Sequence, residues 1–165
     1  MTKKPVVFDI SHPDVKRTFG VYNYMDNESD RGKVLVIIAS IDETLRQMVL
    51  AHLIDAEESQ KIVGIDGALG PLVARARMCY ALGFISKCEY EEIKTLAKIR
   101  NEFAHKPDCS FDEPAVVKLC SKLSTEFSSK DLKYTPAQKF WHSTQVINVT
   151  LGTRPSRIKK QKPMK

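Results

Sequence analysis

The sequence predicts an all-α fold, a single helical bundle of five or six helices. Apolar residues recur at helical spacing over long segments, cap and breaker residues stand at the ends of those segments, and strand-like alternation is nearly absent. The chain of 165 residues is long enough for one well-buried core and short for two full-sized domains. Short connections between the periodic segments suit helices packed side by side.

Residues 1–27 mix extended and turn signals, with Pro5, Pro13 and Gly20, and read as an N-terminal extension with room for one short helix. Tyr22, Tyr24 and Met25 give this extension apolar surface to pack on the first helix. From Asp30 to about Asp55, the positions Leu35, Ile38, Leu45, Val49 and Leu53 fall on one side of a helical projection, which predicts a long amphipathic helix. Glu28, Ser29 and Asp30 form its acidic, cap-capable start. "GIDGALGP" at 64–71 reads as a loop, and Pro71 suits the first turn of a second helix to about Leu82. Its glycines lack both the G-x-G-x-x-G spacing and a preceding strand, so a nucleotide-binding loop is not expected.

Gly83 ends the second helix. Ser86 with Glu89 makes a capping-box pattern that opens a third, which runs to His105 because Pro107 disfavours helical backbone at Lys106. Asp112 or Ser110 caps a fourth from Glu113 to about Phe127, and Thr135 with Pro136 opens a fifth through about Leu151. Trp141 with Phe140 and Val146 packs the fifth helix on the bundle. In "YEEIK" at 90–94, Glu91 and Glu92 are read as outward, a solvated face. The expected organisation is an extension over 1–27, a helical domain over 28–151 and a basic, disordered tail over 152–165.

Charge and composition narrow the function. Six of the 26 Lys and Arg lie between Arg154 and Lys165 with no acid among them, so residues 1–153 carry 20 basic against 20 acidic residues. The body is neutral and the basicity is a tail. Arg154, Arg157, Lys159, Lys160 and Lys162 are the candidate contacts for RNA or for sequence-independent DNA binding, set against a plain solubilising role. No apolar run reaches the length of a membrane span, and the N-terminus lacks a secretory pattern, so a cytoplasmic protein is expected. Cys79, Cys88, Cys109 and Cys120 have no paired short spacing and are expected as buried thiols. The four scattered histidines show no ligand spacing, so neither a metal nor a cofactor is expected.

"KIRNEFAHKP" at 98–107 carries the chemistry. Tyr90, Ile93, Leu96, Ala97, Phe103 and Ala104 form the apolar stripe of the third helix, and Arg100 projects near its middle. A buried guanidinium must be paired. Arg31 and Asp42 project among the apolar positions of the first helix, so Asp42 is the first candidate partner of Arg100, with Glu28 and Asp30 as alternatives. His105 stands at the helix C-terminus, about 140° around an ideal helix from Arg100. There the negative end of the helix favours an imidazolium. An imidazole able to exchange a proton beside an arginine able to hold a phosphate is the equipment of metal-independent RNA cleavage, with Asn101 orienting either group. The competing reading is an internal ion pair and a charged helix end.

"RNEFAH" fits the R-x4-6-H motif of the HEPN superfamily, helical bundles that include many toxin and defence ribonucleases. Together with "ESDRG" at 28–32, "GALGPLVARARMCYALGFIS" at 67–86, "EYEEIKTLAKIRNEFAH" at 89–105 and "SFDEPAVVKLCSKL" at 110–123, it resembles the mannitol operon repressor family over roughly residues 26–125. The resemblance implies an HEPN-like helical regulator without a recognised DNA-binding motif, acting through protein partners. The alternative it leaves open is a ribonuclease or toxin–antitoxin component using Arg100, Asn101 and His105. A homodimer suits both readings.

Overall fold

The structure is a computed structural model, and it describes residues 16, 20–25, 28–124 and 133–162. Among these residues it holds six α-helices and no strand: α1 (Asp30–His52), α2 (Glu57–Val63), α3 (Leu72–Ala81), α4 (Lys87–His105), α5 (Pro114–Cys120) and α6 (Pro136–Gly152). Short 3-10 turns stand at Val21–Tyr24 and Pro155–Arg157. The all-α bundle is as expected. The expectations for residues 1–15 and 125–132 lie outside the described residues.

α1 is the axis of the bundle. Its buried face, including Val34, Ile37, Ile38, Ile41, Leu45 and Met48, packs on α3, α4 and α6, and α4 packs in turn on α3, α5 and α6. Phe103 of α4 and Phe140 of α6 are fully buried and are linked through Phe111, whose ring centroid lies 4.9 and 5.4 Å from theirs. Trp141 packs edge-on against Phe140 and on the core, as expected of the last predicted helix.

The helix ends follow their cap residues. α3 closes on Gly83 at φ +72°, with Phe84 N–H donating to Cys79 O at 2.8 Å and Gly83 N–H to Tyr80 O at 3.0 Å, which satisfies two orphan carbonyls. α4 opens on the predicted capping box, Ser86 Oγ accepting from Glu89 N–H at 3.2 Å while the Glu89 carboxylate accepts from Ser86 N–H at 2.7 Å. Thr135 and Gln138 repeat the arrangement at α6. The glycine loop is structural: a Cβ on Gly67 would collide with the carbonyls of Lys61 and Ile62.

Several expectations need correction. α1 ends at His52 because Leu53 is extended, and the chain then forms α2, a seven-residue helix too short to leave a clear periodic signal. α5 stops at Cys120, short of Phe127, since the backbone tightens over residues 121–123 and Ser124 N–H turns to the Glu92 carboxylate. Neither Asp112 nor Ser110 caps α5, whose N-cap is Glu113. Cys88 is exposed, whereas Cys79, Cys109 and Cys120 are buried.

The C-terminal segment also differs from a solvated tail as far as Gln161. Arg154 grips Glu89 with both terminal nitrogens, at 2.7 and 3.1 Å, and donates to Phe84 O. Pro155 is buried and Ile158 packs on the core. Gln161 N–H donates to His52 O at 2.8 Å, and Lys160 approaches Asp55 at 3.6 Å.

Candidate functional site

The N-terminus of α1 meets the C-terminus of α4, and this end of the bundle holds most of the residues that the sequence singles out. Ser29 is the N-cap of α1, its Oγ accepting from Gly32 N–H at 3.1 Å. The Glu28 side chain lies where a Cβ on residue 32 would be, so Gly32 leaves room for a carboxylate over the positive end of the helix. The same turn sends Arg31 across to α4, where Nη2 donates to Ala104 O at 3.0 Å. That carbonyl is among the last four of α4 and has no partner within its own helix. The segment "ESDRG" is thus a cap for two helices at once.

Arg31 therefore stands beside His105, the last residue of α4, and one turn from Arg100. Arg100 falls within the buried arc of α4 but is only half-buried, because near the end of the bundle its long side chain reaches solvent. It has no ion-pair or hydrogen-bond partner among the described residues. Asn101 and His105 are exposed, and so are Glu28 and Asp30 at the start of α1. Arg31 Nε is buried with no hydrogen-bond partner among the described residues. Two guanidinium groups and an imidazole thus share one end, where the helix C-terminus contributes partial negative charge and the start of α1 supplies carboxylates.

Asp42 is not part of this end. It pairs with Arg75 of α3 at 2.5 Å, and Arg75 also donates to Val63 O at 2.9 Å. The Arg75 side chain is only 7% exposed, so among the described residues the buried arginine is Arg75 and not Arg100. The tail cations are also elsewhere. Lys159 and Gln161 lie against His52 at the far end of α1, roughly 30 Å along the helix from Arg31. Arg157, Lys159, Lys160 and Lys162 are exposed, while Arg154 is committed to Glu89.

A second polar group, read from sequence as solvated, is buried. Glu92 accepts from Ser143 Oγ at 2.6 Å and from Ser124 N–H at 3.0 Å, beside a cavity of about 130 Å³ between α4 and α6 that His142 and Cys88 also line. Burial pushes the thiol of Cys79 up to about 12 and that of Cys120 up to about 11, so both remain protonated and inert. No cluster of three or more His, Cys, Asp or Glu suited to a metal occurs among the described residues.

Residues 60–158 match the family model described as Mannitol repressor. The chain belongs to the mannitol repressor family. No curated protein and no solved structure matches it. The family match takes in α3, α4, α5, α6 and the Pro155–Arg157 turn, so it reaches the last helix, beyond the resemblance read from sequence, and leaves α1 with its "ESDRG" start outside. The buried Asp42–Arg75 pair joins α1 to the family-matched region, and the Arg154–Glu89 pair lies within it. Membership in the mannitol repressor family supports a regulatory role. No helix among the described residues is long and apolar enough to cross a membrane.

Proposed function

We propose that this protein is a transcriptional regulator that acts through protein partners and not by reading duplex DNA itself. The family match carries the regulatory part. The distribution of charge and packing supports the partner-mediated part. The body before residue 154 has equal numbers of acidic and basic residues, and the four longest helices, α1, α3, α4 and α6, all bury residues in the core. A duplex reader needs a projecting recognition element and a positive field around it. Comparing transcripts in cells with and without the gene, then footprinting the purified chain on the promoters that respond, tests the reading. Altered transcripts with no footprint from the chain alone are expected. Unaltered transcripts, or a sequence-specific footprint, overturn it.

A second reading is favoured by one observation, a half-buried Arg100 without a partner among the described residues at the same end of α4 as exposed His105. In a two-fold dimer, two such ends facing one RNA strand supply metal-independent cleavage. One imidazole takes the 2′-OH proton, O2′ attacks phosphorus, the P–O5′ bond breaks, and the second imidazole protonates the leaving O5′. Arg100 balances the charge on the pentacoordinate phosphorus. Incubation with mixed single-stranded and structured RNA in EDTA decides it. Cleavage to 2′,3′-cyclic phosphate ends that is lost in folded His105→Ala and Arg100→Ala is expected, and RNA left intact by the unaltered chain rejects it.

A further inference from the structure

The outward side of the α3–α4 hairpin combines exposed aromatic surface with uncompensated positive charge. Tyr80, near the end of α3, stacks on Tyr90 of α4 with ring planes 4° apart and centroids 5.3 Å apart. Lys94 holds Nζ 5.0 Å from the Tyr90 centroid. Tyr90 packs against the core, while Tyr80 is 41% exposed, so the outer ring of the stack meets solvent. In a helical projection Tyr90, Lys94, Lys98, Asn101 and His105 share one side of α4, a line of about 22 Å. Arg77 stands one turn before Tyr80 on α3.

The charges on this side do not cancel. Glu91 is engaged by Lys94 at 2.9 Å, and Glu102 by Lys106 at 2.8 Å. Exposed Arg77 and Lys98 have no acidic partner among the described residues. A protein partner covering this strip would have to desolvate those cations, which is costly unless each finds a carboxylate. A nucleic-acid strand offers what the strip lacks, phosphates at regular spacing and flat bases able to stack on an aromatic ring.

We propose that this strip binds a single-stranded polynucleotide, with a base stacked on Tyr80 and backbone phosphates held by Arg77 and Lys98. The inference goes beyond the regulatory reading and does not depend on cleavage. The probe is a labelled twelve-residue single strand in two forms of one sequence, fully 2′-O-methylated RNA and DNA. Neither form has a free 2′-OH, so binding is read whether or not the protein cuts RNA. Fluorescence anisotropy on the full chain at low and moderate salt is compared for the unaltered protein, Tyr80→Leu, Tyr80→Phe, Lys98→Glu and a tail variant (Lys159→Gln, Lys160→Gln, Lys162→Gln). Circular dichroism checks that each variant is helical.

Tyr80→Leu is expected to weaken binding roughly tenfold while Tyr80→Phe, which keeps the ring, restores it. Lys98→Glu weakens binding and lowers the salt slope by about one. The tail variant retains most of the affinity, and the better-bound strand tells RNA from DNA as the source. Four results overturn the proposal: no binding by the unaltered chain at low salt, equal affinity for a duplex, equal affinity of Tyr80→Leu, or affinity abolished by the tail variant alone.

Discussion

At the scale of single residues, the decisive contrast is between two arginines. Arg75 lies within the buried face of α3 beside Leu72, Ala76 and Cys79, and its charge is met by Asp42. Arg100 lies in the same kind of stripe but close enough to the helix end to reach water. Both positions were legible as charged residues among apolar neighbours, and the projection that picked out Arg100 applies equally to Arg75. Which carboxylate each would meet was not legible, because pairing depends on how α1, α3 and α4 cross. Asp42→Ala strands the buried Arg75 and is expected to cost about 3 kcal/mol in urea unfolding, the low end for a broken buried pair because Asp42 is partly exposed. Adding Arg75→Met should recover much of that loss by removing the stranded charge. Arg100→Ala should stay within about 0.5 kcal/mol of the unaltered protein. If Asp42→Ala is the neutral change and Arg100→Ala the damaging one, the assignment of the buried pair is wrong.

At the scale of elements, α4 shows how local rules set boundaries that can be read in advance. Ser86 and Glu89 define its start and Pro107 its end, and the helix spans Lys87–His105 as those signals require. Ser86→Ala should cost about 1 kcal/mol by leaving a first-turn N–H without its acceptor. Glu89 has a second duty that its spacing does not reveal. Burial pushes its carboxyl pKa up, but the hydrogen bonds and charge of Arg154 and the bonds from Ser86 outweigh this and hold it below the usual carboxylate value. A pKa lower in the folded than in the unfolded chain stabilises the fold above the unfolded value, about 4.3, and that contribution is lost as pH falls through the folded value. Glu89→Gln is therefore expected to be less stable than the unaltered protein at pH 7, with the difference shrinking as the pH drops below about 4. A stability gap that stays constant across acid titration would show that the carboxylate charge contributes nothing. Short elements were less readable. α2 has only seven residues, and Glu92 was assigned to solvent although it projects next to Ile99 and Phe103, both buried.

At the scale of the whole molecule, the bundle was legible because each long helix announces itself within a few turns of chain, and the C-terminal segment was not because its contacts are remote. Composition marks residues from 154 onward as a basic tail, yet Arg154 binds Glu89 across 65 positions of sequence and Gln161 donates to His52 across 109. No local pattern encodes either contact. The segment closes the bundle by bridging the start of α4 and the end of α1, so the Arg154 clasp should govern whether residues 155–162 stay docked. Arg154→Ala removes a bidentate pair and the bond to Phe84 O, leaving the docking of Pro155 and Ile158 and the His52 contacts to hold the segment. Trypsin supplies the readout, since Arg157, Lys159 and Lys160 are cleavage points on the segment itself. When opening is fast relative to cutting, the rate tracks the population of the open form, so a loss of about 1.4 kcal/mol from the docked state speeds cleavage there about tenfold. Cuts within α4 and α6 should rise far less, because those helices are held by the aromatic core around Phe103, Phe111 and Phe140. Equal acceleration at all sites would mean that Arg154 stabilises the bundle as a whole. Unchanged cleavage at Arg157 and Lys159 would mean that the clasp does not hold the segment down.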